Sequence, residues 1–128
     1  MAIKPSRDQK LLSTERDASF EQVGKLIDEL TLRRQAQSRD GDDDGEEATM
    51  QLIHRDREVR NDLRLAKIKV IDDSEEVKNL VVEFKAVNKD LKEATDELKK
   101  LAEDMEKAAK AIGVLEKVMT KVATSGAA

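Results

Sequence analysis

Apolar residues recur along this chain at helical spacing, and the pattern strengthens toward the C-terminus. In the first third, Phe20, Val23, Ile27 and Leu30 repeat at spacings of three, four and three, one stripe of an α-helix. The expected helix runs over 11–39, with Thr14 and Asp17 read as a capping pair near its start and residues 1–10 frayed. A weaker stripe follows over 48–71, carried by Leu52, Val59, Leu63, Ala66 and Val70 and interrupted by Asp56.

The third segment carries the strongest signal. With Val77 as heptad position a, the a positions are Val77, Phe84, Leu91, Leu98, Met105, Ile112 and Met119. The d positions are Leu80, Val87, Ala94, Leu101, Ala108, Leu115 and Val122, and all of these residues are apolar. In one fixed register that outcome has a chance of about one in a million at this chain's apolar content. Acids precede bases by four residues in Asp96/Lys100, Glu103/Lys107 and Glu106/Lys110, the favourable helical order. The expected helix spans about 74–124, and Ser-Gly-Ala-Ala at 125–128 ends it. Continuous over 77–122, it would be about 70 Å long, whereas a compact domain of this size is about 36 Å across. The fold expected is therefore all-α: an elongated helical bundle or coiled coil with one long C-terminal helix, its seam covered along its length.

Signals divide over residues 71–76. Asp73 with Glu76 is an N-terminal capping pattern, and four acids suit a helix start. Against that, no Gly or Pro occurs there, and Val70 and Val77 keep the seven-residue phase. The capping pattern places a boundary between helix two and the long helix; the alternative is a single helix of about 75 residues from Met50.

Composition narrows the function classes. Of 128 residues, 41% are charged, 38% are hydrophobic and only two, Phe20 and Phe84, are aromatic. The absence of cysteine excludes a disulfide framework, a thiol nucleophile and a zinc knuckle. With His54 the only histidine, a polyhistidine metal site is excluded and no Glu-x-x-His di-iron pattern forms. Two aromatics cannot build a base-stacking surface. No Gly-rich phosphate loop is present. The expectation is a protein that is not an enzyme and needs no cofactor.

Charge, net −4 overall, is concentrated in blocks. Residues 40–47 (Asp-Gly-Asp-Asp-Asp-Gly-Glu-Glu) carry −6 and read as a linker. Asp40, Asp42 and Asp44, with Gly45, also match the opening of an EF-hand calcium loop, but position 8 is Glu47 and position 12 is Gln51. A neutral single oxygen at position 12 replaces a bidentate carboxylate, so a solvated acidic linker is the preferred reading and no metal site is assigned. The segment 54–69 is locally basic, yet its interspersed acids and lack of aromatics disfavour nucleic acid.

Over 105–123 the apolar face widens to Ala109, Ala111, Val114 and Val118, with Lys107, Lys110, Lys117 and Lys121 opposite the seam. A face that wide suits a bundle of three or more helices. The competing reading is a basic amphipathic helix of a membrane-active pore or translocator component. Glu116 and the absence of Trp and Tyr count against it. The primary expectation is a helical interaction protein, structural, adaptor or regulatory, whose a and d residues form a seam for self-association or for a helical partner. With no apolar run behind the N-terminus, it is expected to be cytoplasmic, or exported without a cleavable Sec-type signal.

Overall fold

The stripes fold as helices, and the elements they make differ in number and length from the sequence pattern. A computed structural model describes residues 7–66, 71, 74–100 and 105–125. These form four α-helices: α1 (Arg7–Asp40), α2 (Asp43–Leu65), α3 (Ser74–Lys99) and α4 (Glu106–Ser125).

The long heptad helix expected over 74–124 is two helices, separated by a break after Lys99. No Gly or Pro marks this break in the sequence, and the heptad phase runs through it unchanged from Leu98 to Met105. Its cause lies in packing. One continuous helix would outreach the 34-residue α1, which spans about 51 Å. Folding the segment into a hairpin brings both halves of the seam alongside α1 and α2 of the same chain. Each large side chain so buried contributes roughly 1.5–3 kcal/mol, which outweighs the few backbone hydrogen bonds lost at the break. Glu106 in the first turn of α4 suits a helix start. The molecule is thus a bundle about 50 Å long, shorter than the 70 Å rod the pattern suggested.

The second correction concerns residues 40–47. Read as a linker, the stretch is a two-residue turn between helices. Gly41, at φ +73°, donates to the Ser38 carbonyl, and the Asp42 N–H donates to Gln37, which together close α1 with a Schellman-type cap. Asp42 then caps α2 by accepting from the Gly45 N–H at 3.0 Å. Like charge disfavours the interior of a helix. Asp43, Asp44 and Glu46 instead occupy the first turn of α2, where the helix dipole favours acids. So α2 begins at Asp43 rather than at 48, and it ends at Leu65.

Helix α1 starts at Arg7, ahead of the expected residue 11, and Thr14 is not a cap. Its hydroxyl donates back to the Lys10 carbonyl inside the helix, and Asp17 pairs with Arg16. Residues 1–6, 67–70, 72–73, 101–104 and 126–128 lie outside the described residues, and with them the expected positions of Val70, Leu101 and most of the C-terminal tail.

Helix α1 packs against α2 and α3, and α4 against α3 and α2, giving the ring order α1, α2, α4, α3. Directions follow from cross-links along the bundle. Gln9 donates to the Ile71 carbonyl and Arg16 to the Ala66 carbonyl, so the chain leaving α2 passes the N-terminal end of α1 before α3 begins. The Ser19 hydroxyl donates to the Asn88 amide oxygen, and the Asn88 amide donates to the Glu15 carbonyl, setting α3 parallel to α1. Glu97–Lys107 and Glu83–Lys121 ion pairs run α4 antiparallel to α3. The result is an up-down-up-down bundle made of two hairpins.

One apolar core fills its interior. Leu12, Val23, Leu26 and Leu30 of α1 meet Leu52, Val59 and Leu63 of α2, with Phe84 and Leu91 of α3 and Ile112 and Leu115 of α4 completing it. Every described seam residue is buried in this core except Met105, which is half-buried. The wide face of α4 has the same explanation. Ala111 and Val118, flanking the seam, are buried as well, because α4 contacts two neighbours rather than one.

Candidate functional site

The clearest opening in the surface lies between the C-terminal halves of α2 and α4. These helices run side by side in parallel. The Arg55 guanidinium donates to the Glu116 carboxylate at 2.6 Å and ties them at mid-length. Below that link they part around a groove of about 800 Å³. Its floor is apolar: Val59 from α2, with Met119 and Val122 from α4. Glu58 and Asp62 stand one turn apart along the α2 wall, Glu116 and Thr120 stand on the α4 wall, and Leu65 and Ala123 lie at the open end. Leu65 is 61% exposed, one of the most exposed large apolar residues in the bundle.

Asp56, which interrupts the α2 stripe in the sequence, points into the core. It is fully buried on the same face as Leu52, Val59 and Leu63, and neither carboxylate oxygen has a hydrogen-bond partner among the described residues. Burial pushes its carboxyl up to about 8, against the neighbouring charge of Arg55, which lowers it; Glu116 adds a smaller upward push. At neutral pH the group is therefore mostly protonated. The hydrogen bond to Glu116 also raises the Arg55 guanidinium, which keeps its charge at the α2–α4 link.

A second polar feature lies on the α1–α2 face. The Arg60 guanidinium sits over the Phe20 ring, 4.3 Å from its centroid, a cation–π contact. Gly24 makes room for it: a Cβ there would lie 3.3 Å from the guanidinium. Thr49, fully buried, has its hydroxyl within reach of the Gln37 side-chain oxygen (2.7 Å) and the Gly45 carbonyl (2.9 Å), bracing the α1–α2 turn.

The calcium candidate is not assembled. Asp40 is the last residue of α1, the Asp42 carboxylate is engaged as the α2 cap, and Asp44 lies inside α2. A 12-residue ligand loop has no counterpart in a two-residue turn, and no cluster of three or more His, Asp or Glu side chains among the described residues is placed to hold a metal. The basic segment is dispersed too. His54, Arg57 and Arg64 are exposed, Arg55 pairs with Glu116, and Arg60 covers Phe20. Of the partner seam, Val77, Leu80, Phe84, Val87, Leu91, Ala94, Leu98, Ala108, Ile112, Leu115, Met119 and Val122 face the chain's own core. Along 105–123 Ala111 and Val118 likewise face inward, Ala109 is half-buried and Val114 is exposed, and no described helix is long and apolar enough to cross a membrane.

Sequence reasoning missed the groove. Its walls combine Glu58 and Asp62 with Glu116 and Thr120, residues some 60 positions apart that only the parallel pairing of α2 and α4 brings together. The interruption at Asp56 was visible as a break in the stripe, but a period count cannot distinguish an inward acid from a local twist of the helix. The chain matches no family model, no curated protein and no solved structure.

Proposed function

We propose that this chain is a non-enzymatic helical interaction protein, structural, adaptor or regulatory in role, that binds by presenting helix faces to a second copy or to a helical partner. The observation that supports it is the α2–α4 groove, an apolar floor between two parallel helices with an exposed leucine at its mouth. Grooves of this shape accept an amphipathic helix, whose side chains at i, i+3 or i+4, and i+7 fill the floor while its flanks meet the walls. Because the heptad seam is closed by α1 and α2, a partner reaches this surface without unfolding the bundle. A membrane-active role for 105–123 would require α4 to leave the core first, so the groove favours the interaction reading.

Sedimentation over a concentration series, together with titration of synthetic amphipathic helices of either charge, tests the reading. Self-association, or saturable peptide binding weakened by Leu65→Asp, is expected. A chain that stays monomeric and binds no helical peptide would contradict it.

A further inference from the structure

Resting on the interaction reading above, we propose that the α2–α4 groove seats a cationic amphipathic helix of a partner protein. The walls give the sign of the partner. Glu58 and Asp62, four residues apart, place two carboxylates in line along one side, and Glu116 faces them from the other. Among the described residues that line it there is no Lys or Arg. Glu116 is held by Arg55, whereas Glu58 and Asp62 form no ion pair among the described residues. A helix entering with basic residues four apart would pair with both, and such charge complementarity sets partner and orientation.

The floor gives the length. The groove runs from Glu58 to Ala66 on α2 and from Glu116 to Thr124 on α4, about 13 Å of helix axis, or two to three turns of a bound helix. Met119 in the floor is unbranched and adaptable, suited to side chains of differing shape.

Two other occupants fit the chemistry less well. A second copy of this chain carries exposed lysines, but each of its folded helices exposes a single large apolar side chain among the described residues, Leu32, Leu65, Val82 or Val114, too few to fill a floor two to three turns long. An anionic membrane surface would meet the same acidic walls and be repelled.

The full chain contains no Trp, so a synthetic helix carrying one Trp reports its own binding by fluorescence. Two probes share apolar positions at i, i+4 and i+7 and differ only in Lys or Glu flanks, and backbone amide NMR shifts locate the contact. The Lys probe is expected to shift residues on both walls, to weaken with added salt, and to bind at least tenfold more weakly to Glu58→Lys/Asp62→Lys, with Glu58→Gln/Asp62→Asn intermediate. Both positions lie on the groove wall, and circular dichroism confirms that the variants remain folded.

The proposal is overturned if the Glu probe binds equally well, if the shifts fall outside the groove, or if the double variant binds unchanged. It is also overturned if the same shifts arise from self-association or from anionic phosphatidylserine vesicles in place of the Lys probe. Binding of both probes alike would sink the charge assignment while leaving the interaction reading intact. Failure of both probes, with a monomeric chain, would sink both.

Discussion

Asp56 is the residue at which the core departs most from an apolar filling. A carboxyl buried at the centre of α2 with no hydrogen-bond partner among the described residues binds its proton more tightly in the folded chain than in the unfolded one. The sign of its effect on stability follows. Below the ordinary carboxylate value of 3.8 both states hold the proton and the contribution is complete. As pH rises toward about 8 the unfolded chain gives up the proton while the folded chain keeps it, so stability falls, and above that the loss levels off. A difference between variant and native chain isolates the contribution of this one group. The stability of Asp56→Asn minus that of the native chain, from urea midpoints, should grow between about pH 4 and about pH 8. Asp56→Leu should stabilise by roughly 1–3 kcal/mol at neutral pH, because it removes an unpaired buried polar group and fills the same stripe. A flat difference would mean that water or a shifted helix satisfies the carboxyl.

At the scale of elements, the turn between α1 and α2 shows how local chemistry can be misread. Gly41 and Asp42 are terminal signals in a short span, a left-handed C′ glycine followed at once by an N-cap. Dense acid around them looked like a linker, since like charges repel along a helix. Those acids sit at a helix N-terminus, where the dipole reverses the preference. Gly41→Ala, with open space around the Cβ but a positive φ, should cost about 1 kcal/mol. Asp42→Ala should cost about 1 kcal/mol through loss of the cap. Thermal melts check both, and a neutral Asp42→Ala would remove the capping role.

The a and d stripe identified the buried side chains of α3 and α4 one by one, Phe84, Leu91, Ile112 and Leu115 among them. It could not say what buried them. A hairpin that preserves heptad phase through its loop leaves the same pattern as one unbroken helix, so the break after Lys99 was illegible. In α1 the stripe was offset in part: Val23 and Leu30 are fully buried, but Phe20 and Ile27 are only half-buried and Leu26 takes the inner place. Phe20 is drawn outward to the Arg60 guanidinium, a contact between helices that no periodicity records.

At the scale of the whole molecule, a composition poor in aromatics and rich in charge still closes a core, because its apolar residues lie on four lines that meet at one axis. The hairpins set the surface as well as the core. Parallel placement of α2 beside α4 brings Glu58, Asp62 and Glu116 around one apolar floor, and the functional proposal depends on that placement. The fold-back of α4 onto α3 is therefore the central claim, and the absence of native cysteine makes it directly measurable. Spin labels at Glu83→Cys and Lys121→Cys, in dilute protein mixed with excess unlabelled chain, report the distance within one molecule. The hairpin places these positions in contact across α3 and α4, so a short distance distribution is expected. A distribution centred near 57 Å, about the span of 38 residues of unbroken helix, would contradict the bundle and the groove with it.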